Sequence, residues 1–476
     1  MHKGKLISVC RLLTHSEMRQ LCLFVQSPFH NRDPLVRKLV EYLFSLSPKY
    51  TDHALNRKII FSQLFPGDPY DEKRLSYIVS ATLKLMEDFL FIREKKKDAF
   101  DKTLALLRFY SRNKLDKHFH SVEQKARKLS EKMDWPDAGY FYNLYRLNEV
   151  LNERFEQTRK RVYDESLQSL MDHLDRFYVL NKLKYSCEMI NRKAAVSGEY
   201  EMRLLDEILS LAQRDPALDY PSLTAYYHVL QMLKDPDKVD AFKSLRQLLQ
   251  QYAARFPVQE ARDLYTYALN YCIIQINKGE TGYLETVFAL YREMLEKKII
   301  FIDGEISPWS FKNIVSVALR LEQLEWAESF VSRYIRYLAP TFRPNAYAYN
   351  MASIMYRRQQ YKKALLLLQQ VRFTDIYYSL DTRSLLLKIY YELNEREALL
   401  NHLETFRVYL IRNKLISDNM RRVYQNQVRW LRRLLRTRSV EKTKWLLSEL
   451  EQTGQVADKS WLLAKFREQC LEQAVQ

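Results

Sequence analysis

Glycine is scarce, 8 residues in 476. Sheets joined by tight turns need residues that accept positive φ, so this shortage argues for helices over hairpin-rich β-folds. It also leaves no glycine-rich phosphate loop. The 13 prolines fall mostly between helical patterns. The five cysteines, Cys10, Cys22, Cys187, Cys272 and Cys470, are scattered and never spaced CxxC. Such cysteines act as small apolar residues and fit a reducing compartment, so a cytoplasmic location is the expectation. No apolar run approaches the roughly 18 residues that span a bilayer. Arg11 interrupts the amino-terminal apolar stretch before the core of a signal peptide can form.

Motifs of catalysis are equally sparse. There is no GxSxG, no P-loop and no HExxH. His118 and His120 are two residues apart, so one helix face cannot present both. The reading is therefore a non-enzymatic protein, with no catalytic residue, cofactor or metal site expected.

What is present is apolar periodicity. Hydrophobic residues make up 47% of the chain, enough for packed cores. The first hundred residues predict short helices of unequal length. Thr14 and Glu17 have capping-box spacing, and that helix should stop at Ser27-Pro28. Asp33-Pro34 restarts a helix, and a third is expected from His53 to Phe65. A long amphipathic helix follows Asp71 and runs to about Lys97. The Ser27–Asn31 turn is long for a helix-turn-helix, and no recognition helix stands out. Beyond residue 100, breaks are few: Trp135-Pro136, Ser197-Gly198 and Asp215-Pro216.

The stretches LCLFVQSPFHNRD, RKIIFSQLFPGDPYDEKRL and SATLKLMEDFL resemble the opening of a family of uncharacterised bacterial helical proteins. Ser27, Pro28, Phe29 and Asn31 carry the match, and His30 stands where an aromatic is expected. The resemblance implies relatedness and no chemistry.

From residue 219 a repeat is legible. Ala241, Ala327, Ala364 and Ala398 each open the second helix of a helical hairpin. The last two are 34 residues apart, and a divergent hairpin from Leu264 to Leu295 fills the longest gap. Met351-Ala352, Tyr361 and Ala364 resemble the leucine, small, aromatic and alanine positions of tetratricopeptide repeats. The usual glycine is Gln359 here, and no proline closes Val371-Arg372-Phe373. The expected fold is all-α: an α-solenoid of stacked antiparallel hairpins, tetratricopeptide-like, behind an amino-terminal helical domain. Four segments follow: a helical domain at 1–100, long helical hairpins at 101–218, repeats at 219–410, and basic helices with a cap at 411–476.

Two candidate binding surfaces emerge. Asn270, Asn313 and Asn350 take equivalent places in three first helices, followed seven residues later by Asn277, Arg320 and Arg357. Residues seven apart share a helix face, so stacking would align these groups. In tetratricopeptide repeats, the resemblance implies, that place lines the groove for an extended peptide. The same side chains would also serve as bonds between neighbouring helices.

The second surface is electrostatic. The formal net charge is +18, concentrated in 407–445 and 93–128. In the first of these, Arg422, Arg429, Arg433 and Arg436 lie nearly opposite an apolar stripe of Met420, Tyr424, Leu431, Leu434 and Leu435. Arginines on one face suit phosphates, and they equally suit a solvated surface. The leading expectation is a scaffold that binds a protein or peptide segment in a helical-repeat groove. The alternative is a nucleic-acid-associated regulator using the two basic segments.

Overall fold

The computed structural model describes residues 4–133, 135–157, 162–195, 200–214, 220–371 and 376–475. Among the described residues the chain is all-helical, with one isolated bridge between Ile302 and Glu305 and no strand. Among the described residues no helix is long and apolar enough to cross a membrane. Two compact units divide the chain, Met1–Val179 and Leu180–Gln476, a coarser division than the four segments read from the sequence. The dividing point falls inside the helix Glu165–Ala195. The Ser197-Gly198 and Asp215-Pro216 breaks lie outside the described residues.

In the first unit, side-chain caps set most of the early helix starts. Thr14 and Glu17 form the reciprocal capping box, and the helix His15–Gln26 stops at Ser27, which is extended before Pro28. Asp33 caps Pro34–Ser45 and Asp71 caps Glu72–Lys97. The third helix is shorter than expected. It runs Arg57–Leu64, because the Asn56 side chain accepts from the Lys58 amide and fixes the start there. These helices close on a core that includes Leu21, Leu39, Leu43, Phe61, Leu75 and Phe89. A separate core of Phe100, Leu107, Phe119, Leu147 and Val150 joins Ala99–Arg112, Asp116–Glu131 and Ala138–Gln157.

In the second unit, helices pair in sequence. Pro308–Arg320 pairs with Leu324–Tyr334, Arg343–Arg357 with Tyr361–Leu368, and Ile376–Glu392 with Arg396–Arg412. Pro308–Arg320 also packs on Arg343–Arg357, and Arg343–Arg357 on Ile376–Glu392. Ala327 and Ala364 are fully buried one turn into the second helices, Ala241 is nearly so, and Ala398 is half-buried. A methyl group at these places permits close approach of two helices, which explains the regular alanines.

The turns inside the pairs show how helices end here without glycine. Glu322, Gln359 and Asn394 all adopt left-handed φ, at 55°, 59° and 58°. After each, a backbone amide reaches back five residues: Gln323 to Ala318, Gln360 to Met355, and Glu395 to Tyr390, at 2.9, 2.9 and 3.0 Å. These are Schellman closures, which satisfy the last carbonyls of a helix. Such closures usually employ glycine. Here charged and amide side chains accept the strained geometry, so scarcity of glycine does not mean scarcity of left-handed turns.

Candidate functional site

The asparagine positions of the three first helices sit at different depths. Asn350 is 1% exposed and donates to the Ala346 carbonyl of its own helix at 2.7 Å. Asn313 hydrogen-bonds the hydroxyl of buried Tyr291, and half-buried Asn270 donates to Asn191 at 3.4 Å. Asn277, Arg320 and Arg357 are exposed, and Arg357 pairs with Glu322 at 3.3 Å. Seven-residue spacing placed each pair on one helix but left its depth open. The first members are hydrogen-bonded within the protein and are buried or half-buried, whereas the second members are exposed.

Sequence reasoning also missed a polar seam on these helices. Asp458 accepts from Ser384 at 2.7 Å and Lys388 at 2.8 Å, and Gln427 donates to it at 3.1 Å. Burial pushes the Asp458 carboxyl up, yet Lys388, Ser384 and Gln427 outweigh it and hold the group below the usual carboxylate range. Glu392 accepts from Trp461 and Lys465, each at 2.9 Å. Asp381 bridges Lys312 and Tyr424, the tyrosine donating at 2.6 Å. The chain's last helices therefore satisfy the polar face of Ile376–Glu392. Trp461 and Lys465, four apart just after Asp458, were the available signal.

The two basic segments separate clearly. In 93–128, Arg93 pairs with Glu17, Lys95 with Asp101, Arg108 with Glu149 and Arg127 with Glu123. Much of that charge is neutralised in place. The 407–445 segment is different. Its helix Asp418–Arg436 begins at Ser417, whose side chain accepts from Met420, and carries Asp418 in the first turn with Arg433 and Arg436 in the last. Acid first and base last complements the helix dipole. Tyr424, Val428, Trp430, Leu431 and Leu434 are buried, whereas Arg422, Arg429, Arg433 and Arg436 are exposed.

Arg429, Arg433 and Arg436 of that face line a groove of about 440 Å³ against the preceding helix Arg396–Arg412, and Arg422 is not part of its lining. Arg407, Arg429, Arg432, Arg433 and Arg436 form its walls, and Leu410, Ile411 and Val428 supply apolar lining. Arg433 lies over the Trp430 ring at 4.7 Å, a cation–π contact that orients the guanidinium. Arg407 and Arg432 share Glu404. Hydrogen bonds from Arg407, then from Arg432, hold the Glu404 carboxyl far down, at about 2. Among the described residues Arg429, Arg433 and Arg436 form no ion pair, so their donors face the groove's solvent. Such a groove can hold carboxylates or phosphates by paired, charge-assisted hydrogen bonds.

Among the described residues no group of three histidine, cysteine or acidic side chains is placed to hold a metal. Cys10, Cys22, Cys187 and Cys272 are buried, and burial raises their thiols, Cys10 to about 12. A scan against protein-family models finds no match to this chain, and a search of curated proteins finds none either.

Proposed function

We propose that the chain is a non-enzymatic protein-interaction scaffold of the cytoplasm. Its repeats are tetratricopeptide-like hairpins stacked as an α-solenoid behind the amino-terminal helical domain, and it holds an anionic partner through the carboxy-terminal arginine groove. The observation that carries this reading is the convergence of five arginines from two helices on one lined groove. Packing of Pro308–Arg320 on Arg343–Arg357, and of that helix on Ile376–Glu392, supports the stacked-hairpin architecture. Five unpaired cysteines, four of them buried, fit a reducing compartment.

The test is affinity capture from nuclease-treated lysate with the full chain and with Arg429→Glu/Arg433→Glu. Both side chains are exposed, so the variant should fold normally, as circular dichroism would verify. The expected result is a protein partner retained after nuclease and lost with charge reversal. A partner that survives charge reversal would show that the groove is not its site.

A second reading has one observation in its favour: the row Arg422, Arg429, Arg433 and Arg436 is free of acidic partners among the described residues. Such a row suits a phosphate backbone as well as carboxylates. A nucleic-acid regulator would yield nucleic acid in the same capture without nuclease, with affinity falling steeply with salt.

A further inference from the structure

We infer that the arginine groove takes an acidic amphipathic helix, one carrying Asp or Glu along its flanks and aliphatic residues along one stripe. This rests on the groove being an anion-binding interaction site, and it names the partner by chemistry. Three relationships lead to it.

The first is length. Arg429, Arg433 and Arg436 line the groove, and Arg422 continues the same exposed face of this continuous helix beyond it. From Arg422 to Arg436 that face extends for about 21 Å at 1.5 Å per residue. A single small anion meets one or two of these guanidinium groups. An extended polyanion meets the whole row.

The second is the lining between the arginines. Its accessible apolar member is Ile411, since Leu410 and Val428 beside it are 0% and 3% exposed. Ile411 is 51% exposed, and Leu415 just beyond it is 84% exposed. Nucleic-acid strands are held by aromatic faces on which bases stack. Trp430 and Tyr424, the aromatics of this helix, are instead 1% and 8% exposed and belong to the core. The open apolar contacts are thus aliphatic, Ile411 and Leu415, and no aromatic face of this helix is open to stack on a base.

The third is an internal precedent. Glu404, on the helix that forms one wall, already lies between Arg407 and Arg432 and accepts from both. A carboxylate on a helix is thus a ligand that the walls are spaced to receive. Helix-in-groove recognition reads apolar anchors at i, i+3, i+4 and i+7, a stripe that can meet exposed Ile411 while acidic flanks meet the arginines.

The experiment is fluorescence anisotropy with the full chain and four labelled probes. One is a Leu/Glu peptide of about 16 residues with leucines at i, i+3, i+4 and i+7, a length chosen to cover the row. The others are the same composition scrambled, polyglutamate, and a single-stranded oligonucleotide of equal charge. The amphipathic peptide should bind at least tenfold tighter than the other three. Arg429→Glu/Arg433→Glu should weaken it at least tenfold, and Ile411→Ser should weaken it while leaving polyglutamate unchanged. If polyglutamate or the scrambled peptide binds equally well, the amphipathic inference is overturned and the anion-binding groove stands. If the oligonucleotide binds tightest, the inference is overturned in favour of a phosphate backbone. If no probe binds, the groove reading itself falls.

Discussion

Glu404 accepts a hydrogen bond from Arg407 three residues along its own helix, at 3.0 Å, and another from Arg432 on the following helix. The carboxylate therefore occupies two of the five guanidinium groups that face the groove. It is an exposed internal ligand, and it competes with any external carboxylate for the same donors.

Glu404→Gln should release those donors. Because exposed ion pairs are individually weak, the gain should be modest, about two- to fivefold tighter binding of an acidic peptide. The Glu404 carboxyl, held at about 2, stays ionised well into acid, so the difference between the two proteins should be constant from pH 5 to 8. Binding isotherms across that range check both statements.

Asn350→Ala should act on stability and leave peptide binding alone. The side chain is 1% exposed and bonded to Ala346 within its helix. Removing it leaves a small cavity and loses that bond, a cost of about 1–3 kcal/mol. Urea unfolding should show a lower midpoint, and anisotropy with the groove peptide should be unchanged. An unchanged midpoint with weaker binding would restore Asn350 to a ligand-contacting role.

This contrast shows what the sequence made legible. Helix class, the early caps and the alanine ruler follow from local rules, and Thr14–Glu17 and Ala364 behave accordingly. The arginine and apolar stripes of Asp418–Arg436 were equally readable, because an amphipathic wheel separates them within one helix. The groove was not, since it needs Arg407 and Leu410 from a neighbouring helix as well. Depth was not legible either. Asn350 and Arg357 share a helix face by spacing, yet one is buried and the other reaches solvent, because neighbouring helices cover only part of that face.

Gln359→Gly should stabilise the second unit. Gln359 is exposed and holds φ at 59° in the turn between Arg343–Arg357 and Tyr361–Leu368. A left-handed conformation costs a non-glycine residue about 1–2 kcal/mol, and glycine's extra unfolded-state entropy returns part of that. A net gain of about 0.5–1 kcal/mol is expected. Gln359→Val should lose stability instead, since a β-branched side chain tolerates this geometry worst. Denaturant midpoints of the three proteins give the order Gly, Gln, Val.

Acid should weaken the same unit through His402. Its Nε2 lies 3.0 Å from the Arg383 carbonyl, and burial pushes its pKa below the ordinary value despite that hydrogen bond. The folded pKa is thus lower than the unfolded one, about 6.5. As pH falls through 6.5, the unfolded chain binds a proton that the folded chain refuses, so stability declines, by at most about 1.4 kcal/mol per pH unit for one group. Above that pH the contribution is fully present. Burial lowers His228 in the same way, so two groups add to the slope. His402→Gln keeps an amide donor for Arg383 and removes the titration. Melting temperatures at pH 5, 6, 7 and 8 should fall less steeply toward acid in the variant.

The last helix is anchored by a nearly dry ion pair. Lys465 and Glu392 meet at 2.9 Å with side chains 13% and 14% exposed, and Trp461 donates to the same carboxylate at 2.9 Å. Lys465 also reaches Glu468, whose side chain is largely exposed and readily solvated without it. Lys465→Met leaves Glu392 charged with its cation removed and should cost about 2–4 kcal/mol, most of it from the stranded charge. Glu392→Gln in the same chain removes that charge and still offers an oxygen to Trp461. The double variant should therefore recover most of the loss, so the two changes are strongly non-additive. Urea midpoints for the wild type, both single variants and the double variant complete the cycle. Additive losses would show that Lys465 acts through packing alone.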